Sequence, residues 1–208
     1  IMKKILIPTD FSKHAEYALK VAAQIARKNN GEIILLHMLE LPHQGSDAVG
    51  SGKELPEIMF FKNAAINRLE DLMDEDFLDG IEVSEVIQFE KAFNGVLNIS
   101  KKNEVDFVVM GSHGASGFNE MLIGSNTEKV VRYSEVPVLV VKSEMPEFKA
   151  DSFVFASDFS EEIKKPFAKM LDFAKGYGSH LNLVMINTPN SFKSTIAAEK
   201  IMNDFIKE

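Results

Sequence analysis

Hydrophobic and polar positions along the chain switch repeatedly between a strand-like and a helix-like period. "KKILIPTD" (3–10) is a short apolar run ending at Pro8 and reads as a buried strand. From Ser12 to Lys28, Ala15, Ala18, Leu19, Ala22, Ile25 and Ala26 recur at helical spacing, and Asn30-Gly31 is a stop signal. "EIILLHML" (32–39) is almost continuously apolar, as expected of a central parallel strand covered on both faces. Residues 42–54 are polar, rich in Gly and Ser and without a period, which predicts a mobile loop. An amphipathic helix follows from Leu55 to Phe77, then the alternating strand "IEVSEVIQF" (81–89), a helix from Phe93 to Asn103 and the buried strand "VDFVVMG" (105–111). A helix from about Thr127 to Tyr133 and a fifth strand, "VPVLVVK" (136–142), complete the series. Strands alternating with helices through short connections predict an α/β fold with a doubly wound parallel sheet and right-handed crossovers.

The pattern then begins again. "PTDFS" at 8–12 returns as "ASDFS" at 156–160, and Ala26 and Leu35 meet Ala174 and Leu183 at the same offset of 148 residues. Around the second motif lie a strand "DSFVFAS", a helix from Ser160 to Lys175, a glycine turn at 176–178 and a strand "HLNLVMI". The shared spacing points to internal duplication. After Ile186 there is a loop and one more helical stretch, "STIAAEKIMNDFIKE", with no counterpart of strands three to five. The expected organisation is a complete domain over residues 1–143, a linker at 144–151 and a partial second repeat over 152–208 (strand, helix, strand, helix). Two strands bury little surface by themselves, so truncation of a longer tandem protein is the expectation for this half.

Composition narrows the classes. Apolar residues make up 45% and charged residues 26%, ordinary values for a water-soluble globular chain. No run of about 18 apolar residues is present, so no membrane span is expected. "IMKKILIPTDFS" does not read as a signal peptide, because its apolar part is short and Asp10 interrupts it. Zero cysteines exclude disulfides and cysteine metal sites, and fit a cytoplasmic protein. A net charge of −8, with no basic cluster interleaved with aromatics, argues against nucleic-acid binding. Asp71, Asp74, Glu75, Asp76 and Asp79 are read as a solvated acidic face, and no metal ligand set accompanies them. His37, inside an apolar strand, is read as a core histidine with a satisfied partner.

The chemistry concentrates in "VVMGSHGASGFNEMLIGSNTEKVV" (108–131), which follows a buried strand and precedes a helix. That context binds phosphate through loop backbone and a helix N-terminus. The glycines fall as Gly111-x-x-Gly114, nine residues, then Gly124-Ser125. Neither the P-loop, which needs a lysine after its last glycine, nor the dinucleotide fingerprint is matched. Gly111 and Gly114 allow a sharp turn and close approach to a ligand. Ser125-Asn126-Thr127-Glu128 has the form of a capping box, with Ser125 as N-cap. That arrangement would gather unpaired N–H groups and two hydroxyls at one helix end.

G-x-x-G-x(9)-G-[ST] after a strand, followed by "VPVLVVK", resembles the ATP-binding signature of the universal stress protein family. "PTDFS" near the N-terminus and "LLHM" at the end of the second strand are similar to that family too. The resemblance covers residues 3–142, and 152–187 as the start of a second copy. It implies a five-stranded parallel sheet in the order 3-2-1-4-5, of the adenine nucleotide α-hydrolase-like (HUP) type, with ligand at the switch point between strands one and four. It further implies that Pro8, Thr9 and Asp10 border adenine and ribose, that Met38 contacts adenine, and that Met110 and Gly111 lie against the nucleotide. His113 and Gly114 would line the loop, as polar lining and not as catalysts. Gly124, Ser125, Asn126 and Thr127 would hold the phosphates. Ala115 stands where many members carry a basic or larger polar residue.

Three readings follow from this resemblance: an ATP-binding regulatory protein of the stress response, a slow ATPase, and a stress-associated dimer without nucleotide. Hydrolysis calls for a water-positioning base and a cationic or metal clamp. The segment has no lysine or arginine before Lys129, and Arg132 lies beyond the first turn. Binding with at most weak hydrolysis is therefore expected, with magnesium or manganese bridging the phosphates beside Ser125 and Thr127. Asp10 has a plainer alternative role as a cap for the helix near Ser12. Homodimerisation is expected through Val138, Leu139, Val140 and Val141, because an apolar edge strand seeks a partner.

Overall fold

The computed structural model describes residues 3–39, 56–114 and 123–207. The loop expected at 42–54 and Ala115 lie outside the described residues. The chain divides into two units, Met2–Phe148 and Lys149–Glu208 with Ile1.

In the first unit the apolar runs form β1 (Lys4–Thr9), β2 (Glu32–Met38), β3 (Glu82–Gln88), β4 (Phe107–Gly111) and β5 (Val138–Val141). They pair in parallel in the order β3-β2-β1-β4-β5, the order expected. The helices are α1 (Lys13–Asn29), α2 (Pro56–Met73), α3 (Ala92–Lys102) and α4 (Ser125–Tyr133). Successive strand residues point to opposite faces. Leu6, Ile34 and Leu36 pack with Val96 and Ile99 of α3 and Val130 of α4 in one buried cluster. The intervening Ile5, Ile7, Ile33 and Leu35 are fully buried as well, which is why these strands read as unbroken apolar runs.

Helix α1 starts at N-cap Ser12, whose hydroxyl accepts from the Ala15 N–H, and ends at Asn30 in the left-handed region. Helix α2 stops at Met73, short of the Phe77 expected, and a single 3-10 turn spans Asp76–Leu78. Its last turn carries no basic residue, so Asp74, Glu75 and Asp76 would have met the negative end of the helix dipole unopposed. The five acidic residues of this stretch are all exposed, as a solvated face requires. Among the described residues no metal-holding cluster of carboxylates and histidines occurs, and no helix is long and apolar enough to cross a membrane.

The second unit contains β6 (Ser152–Ser157), α5 (Lys164–Tyr177), β7 (His180–Met185) and α6 (Thr195–Lys207), with β6 and β7 parallel. Its local geometry repeats the first at the offset of 148. Lys4 is in register with Glu32, and Ser152 with His180. Phe11 N–H donates to Thr9 Oγ1 at 3.0 Å and Phe159 N–H to Ser157 Oγ at 3.0 Å. Ser12 N–H donates to Asp10 Oδ1 at 3.0 Å, and Ser160 N–H to Asp158 Oδ1 at 3.0 Å. Phe11 and Phe159 both adopt a left-handed backbone, with φ of 61° and 55°. This region is costly for an aromatic residue and is held here by the flanking hydrogen bonds.

Burial is where the two halves differ. The core of the second unit is a chain of edge-on rings, Phe155, Phe159, Phe167 and Phe205, with centroids 4.8–6.0 Å apart. Val154, the counterpart of Leu6, is 66% exposed, whereas Leu6 is 0% exposed. Leu6→Ala is expected to destabilise the first unit by about 2–5 kcal/mol, and Val154→Ala to cost less than about 0.5 kcal/mol. Urea unfolding followed by circular dichroism measures both; equal losses would contradict the burial difference.

Candidate functional site

The central strand β1 has β2 on one side and β4 on the other, so its neighbours are reached by crossovers running in opposite directions. Six residue pairs keep β1 and β2 together as far as Thr9–His37. Against β4 the register covers only Ile5–Phe107 and Leu6–Val108, while β1 runs on to Thr9 and β4 to Gly111. The carboxyl ends of β1 and β4 therefore part, and a cavity of about 390 Å³ opens between them.

All twelve residues singled out from the sequence line this one cavity: Pro8, Thr9, Asp10, Met38, Met110, Gly111, His113, Gly114, Gly124, Ser125, Asn126 and Thr127. Five more were not foreseen: Ala15, Leu36, Ala92, Val96 and Val130. Leu36 shares a strand face with Met38, and Ala92 and Val96 sit one helical turn apart, so both periods carried a signal for them. The cavity thus has an apolar end, walled by side chains that extend the buried cluster, and a polar end at the start of α4.

The first wall is the turn after β1. Asp10 accepts the Ser12 N–H through Oδ1, so it shapes the turn while Ser12 itself caps α1. Thr9 is buried, and its carbonyl accepts a hydrogen bond from His37 Nδ1 at 2.8 Å. Phe11 lies against the His37 ring, centroids 4.6 Å apart, with the Arg68 guanidinium 4.0 Å from the Phe11 centroid. His37 is therefore the satisfied histidine expected, and the stack braces the strained turn that presents Asp10.

Close approach explains two glycines of the opposite wall. A β-carbon on Gly111 would stand 2.7 Å from the His14 carbonyl carbon, a backbone atom of α1. A β-carbon on Gly114 would stand 2.6 Å from Asp10 Oδ2, so this loop passes directly over the carboxylate. Ser112 Oγ and His113 Nδ1 are 3.0 Å apart, and the His113 ring faces His14 with centroids 5.5 Å apart. His113 Nε2 is buried and has no hydrogen-bond partner among the described residues.

The polar end departs from the capping box expected at Ser125. The N-cap is Gly124, Ser125 is the first helical residue, and no side chain caps the helix. Glu128 turns instead to Arg132, one turn on, at 2.9 Å. The reason lies in the Gly124 backbone: its N–H donates to Ser112 O at 2.8 Å, which ties the loop to β4 and draws Gly124 into the cap position. Thr127 is buried and its hydroxyl donates to Gly111 O at 3.0 Å, so that hydroxyl joins the loop's two ends. The first-turn N–H groups of α4 consequently face the cavity with no side-chain cap and no intrahelical acceptor. They carry the positive end of the helix dipole. No lysine or arginine is among the described lining residues, and Arg132 is held by Glu128.

A second cavity, of about 420 Å³, lies in the second unit beside the repeated turn, lined by Asp158, Phe159, Ser160 and Ile186. Its other walls are Ile201, Asp204 and Phe205 of α6 together with Glu161, Lys164, Met185, Ser191 and Lys193, with no glycine among these described residues. The Ser160 backbone N–H and then its hydroxyl hold the Asp158 carboxyl below its ordinary range. This cavity has the repeated turn of the first site, and among its described lining residues no glycine loop and helix N-terminus face that turn.

Comparison with known proteins follows the first unit. The sequence model of the universal stress protein family matches residues 2–142. Universal stress protein MJ0577 of Methanocaldococcus jannaschii is 35% identical over 156 residues, 67% of this chain and 94% of its own. Universal stress protein YxiE of Bacillus subtilis is 27% identical over 154 residues, 68% of this chain and 100% of its own. The solved structure of MJ0577 has a TM-score of 0.57 and covers 68% of this chain and 96% of its own. A universal stress protein from Archaeoglobus fulgidus DSM 4304, 22% identical, covers 99% of this chain and 72% of its own with a TM-score of 0.71. A universal stress protein solved in complex with cAMP shares the fold at 19% identity, with a TM-score of 0.51 over 67% of this chain and 96% of its own.

Thr127→Val keeps the shape of the side chain and removes the hydroxyl that binds Gly111 O. It is expected to lower stability by about 1–3 kcal/mol, read from the thermal midpoint. An unchanged midpoint would mean that this hydrogen bond does not hold the loop.

Proposed function

The chain belongs to the universal stress protein family, and from that premise we propose that its first unit is an adenine-nucleotide-binding regulatory module of the stress response. The nucleotide we propose is ATP, its base between Met38, Ala92, Val96 and Met110 and its ribose beside Pro8, Thr9 and Asp10. Gly111, His113 and Gly114 cover it, and its phosphates lie at Gly124–Thr127. The observation that carries this reading is that residues from three separated motifs line one cavity whose polar end is a helix N-terminus without a side-chain cap. The donor set fits: amides and the Ser125 hydroxyl at one end, apolar side chains at the other, and two glycines that let the loop lie against α1 and Asp10. Magnesium or manganese carried by the phosphates would be held beside Ser125, and would supply positive charge that the chain itself lacks there.

The same donor set favours binding over turnover. Phosphoryl transfer needs charge neutralisation at the terminal phosphate and a residue that positions water. Among the described lining residues Asp10 and His113 are ionisable, and Asp10 is already engaged in the turn. Slow hydrolysis is the second reading, and a dimer that has lost nucleotide the third. The intact Gly111, Gly114 and Gly124 speak against the third.

We expect calorimetry to detect binding of magnesium ATP, and protein denatured after purification to release adenine nucleotide. Gly124→Val should weaken binding by about tenfold or more, a step of about 1.4 kcal/mol, and should abolish any phosphate release. No binding and no release would overturn the nucleotide reading. Phosphate release that survives the substitution would belong elsewhere than this site.

We further propose that residues 152–208 are a partial second repeat of the same domain, joined by residues 144–151. The support is the set of matching hydrogen bonds and left-handed phenylalanines at a constant offset. For assembly we propose a homodimer through Val138–Val141, since β5 ends the sheet order and pairs with β4 alone. Sedimentation at micromolar concentration should give twice the chain mass, and Val140→Lys should shift it toward monomer. A wild-type monomer would contradict the dimer.

A further inference from the structure

We propose that Gly95 is a specificity-determining position: by lacking a side chain it lets Met38 lie back against α3 and sets the depth of the base pocket for a purine. The inference rests on the nucleotide reading above and adds a size limit for its base.

Gly95 is buried at the end of the first turn of α3, where its N–H bonds Lys91 O. Glycine there costs the helix about 1 kcal/mol relative to alanine. Its backbone does not require glycine, for the glycines with positive φ among the described residues are Gly80 and Gly178. The requirement is space. A β-carbon on Gly95 would stand 2.1 Å from Met38 Cε and 2.5 Å from Sδ, and its third neighbour, at 3.7 Å, is Met38 Cγ. Met38 alone is in the way.

Met38 is half-buried at the end of β2. One flank lies on Gly95, and the side chain also lines the cavity. Behind it Leu36, Val96 and Met110 belong to the close-packed cluster, which yields little to an added methyl group. A side chain at Gly95 therefore displaces the Met38 thioether along its open direction, into the cavity. The neighbours Ala92 and Val96 line the same wall. A polarisable thioether packs well against the face of a heteroaromatic ring, so its position decides how large a ring fits. A bicyclic base meets the displaced methionine before a monocyclic one does.

The test is calorimetric titration of magnesium ATP and magnesium CTP into the wild type, Gly95→Ala, Met38→Ala and the double variant, with thermal melts of each. Gly95→Ala should lower ATP affinity roughly ten- to a hundredfold, the range for one methylene group in an apolar pocket, and lower CTP affinity less. The double variant should bind ATP as well as Met38→Ala alone, because the alanine then has nothing to displace. The Met38 ε-methyl resonance of the ligand-free protein should shift in Gly95→Ala. A wild type that binds ATP beside a Gly95→Ala protein with the same affinities and ratio would overturn this inference and leave the nucleotide reading intact. Equal losses for both nucleotides, persisting without Met38, would also overturn it, since they mark a general disturbance of α3. A wild type that binds neither nucleotide removes the nucleotide reading and this inference with it.

Discussion

A parallel sheet can hold its strands together only while their backbones stay in register, and here the central strand loses one of its two neighbours half-way along. β1 remains paired with β2 to its end, but its ladder with β4 stops at Leu6–Val108 while both strands continue. Everything at the site depends on that parting. It exposes the ends of strands whose side chains belong to the core, so one end of the cavity is apolar without any dedicated residues. It also brings the turn after β1 opposite the loop after β4, so that Asp10 and Gly114 meet although they are 104 positions apart (114 − 10).

The repeated turn separates local from tertiary causes. Thr9-Asp10-Phe11-Ser12 and Ser157-Asp158-Phe159-Ser160 make the same two hydrogen bonds and the same left-handed phenylalanine. Short-range side-chain-to-backbone bonding is therefore enough to build the turn. What the turn becomes is decided by its surroundings. In the first unit Phe11 is held between His37 and Arg68, and a glycine loop crosses Asp10. In the second, Phe159 joins an aromatic cluster with Phe155 and Phe205, and the space beside Asp158 is walled by α6.

If an acidic chain is to attract an anion, as proposed for this site, it has to do so locally. The net charge is −8, and the described residues of the site contribute no ammonium or guanidinium group. Backbone N–H groups at a helix start act over a few ångströms and fall off within a turn, so they work only on a ligand brought into contact. Gly124 serves that purpose better than a side-chain cap would. With Gly124 as N-cap, the first-turn N–H groups have no serine oxygen competing for them.

Hydrophobic periodicity by itself marked five strands and their helices, because apolar period and burial are linked by side-chain direction; the β3-β2-β1-β4-β5 order was legible only through the family resemblance. The glycine spacing and the two shorter motifs marked twelve residues that the fold brings around one cavity. The helix expected from about Thr127 was legible, but its start at Ser125 and its cap were not. Ser125 and Glu128 have the right spacing for a capping box, yet the hydrogen bond from Gly124 to Ser112, across the loop, moved the cap by one residue. Arg132, expected beyond the first turn, is paired there with Glu128, one helical turn away. Gly95 is the clearest case of what only the tertiary structure decided. In sequence it is a weak helix residue, and its reason is the Met38 side chain that another strand lays across it. Local pattern carries direction and propensity; contact between distant segments, set by the packing of whole elements, decides which atoms need the space.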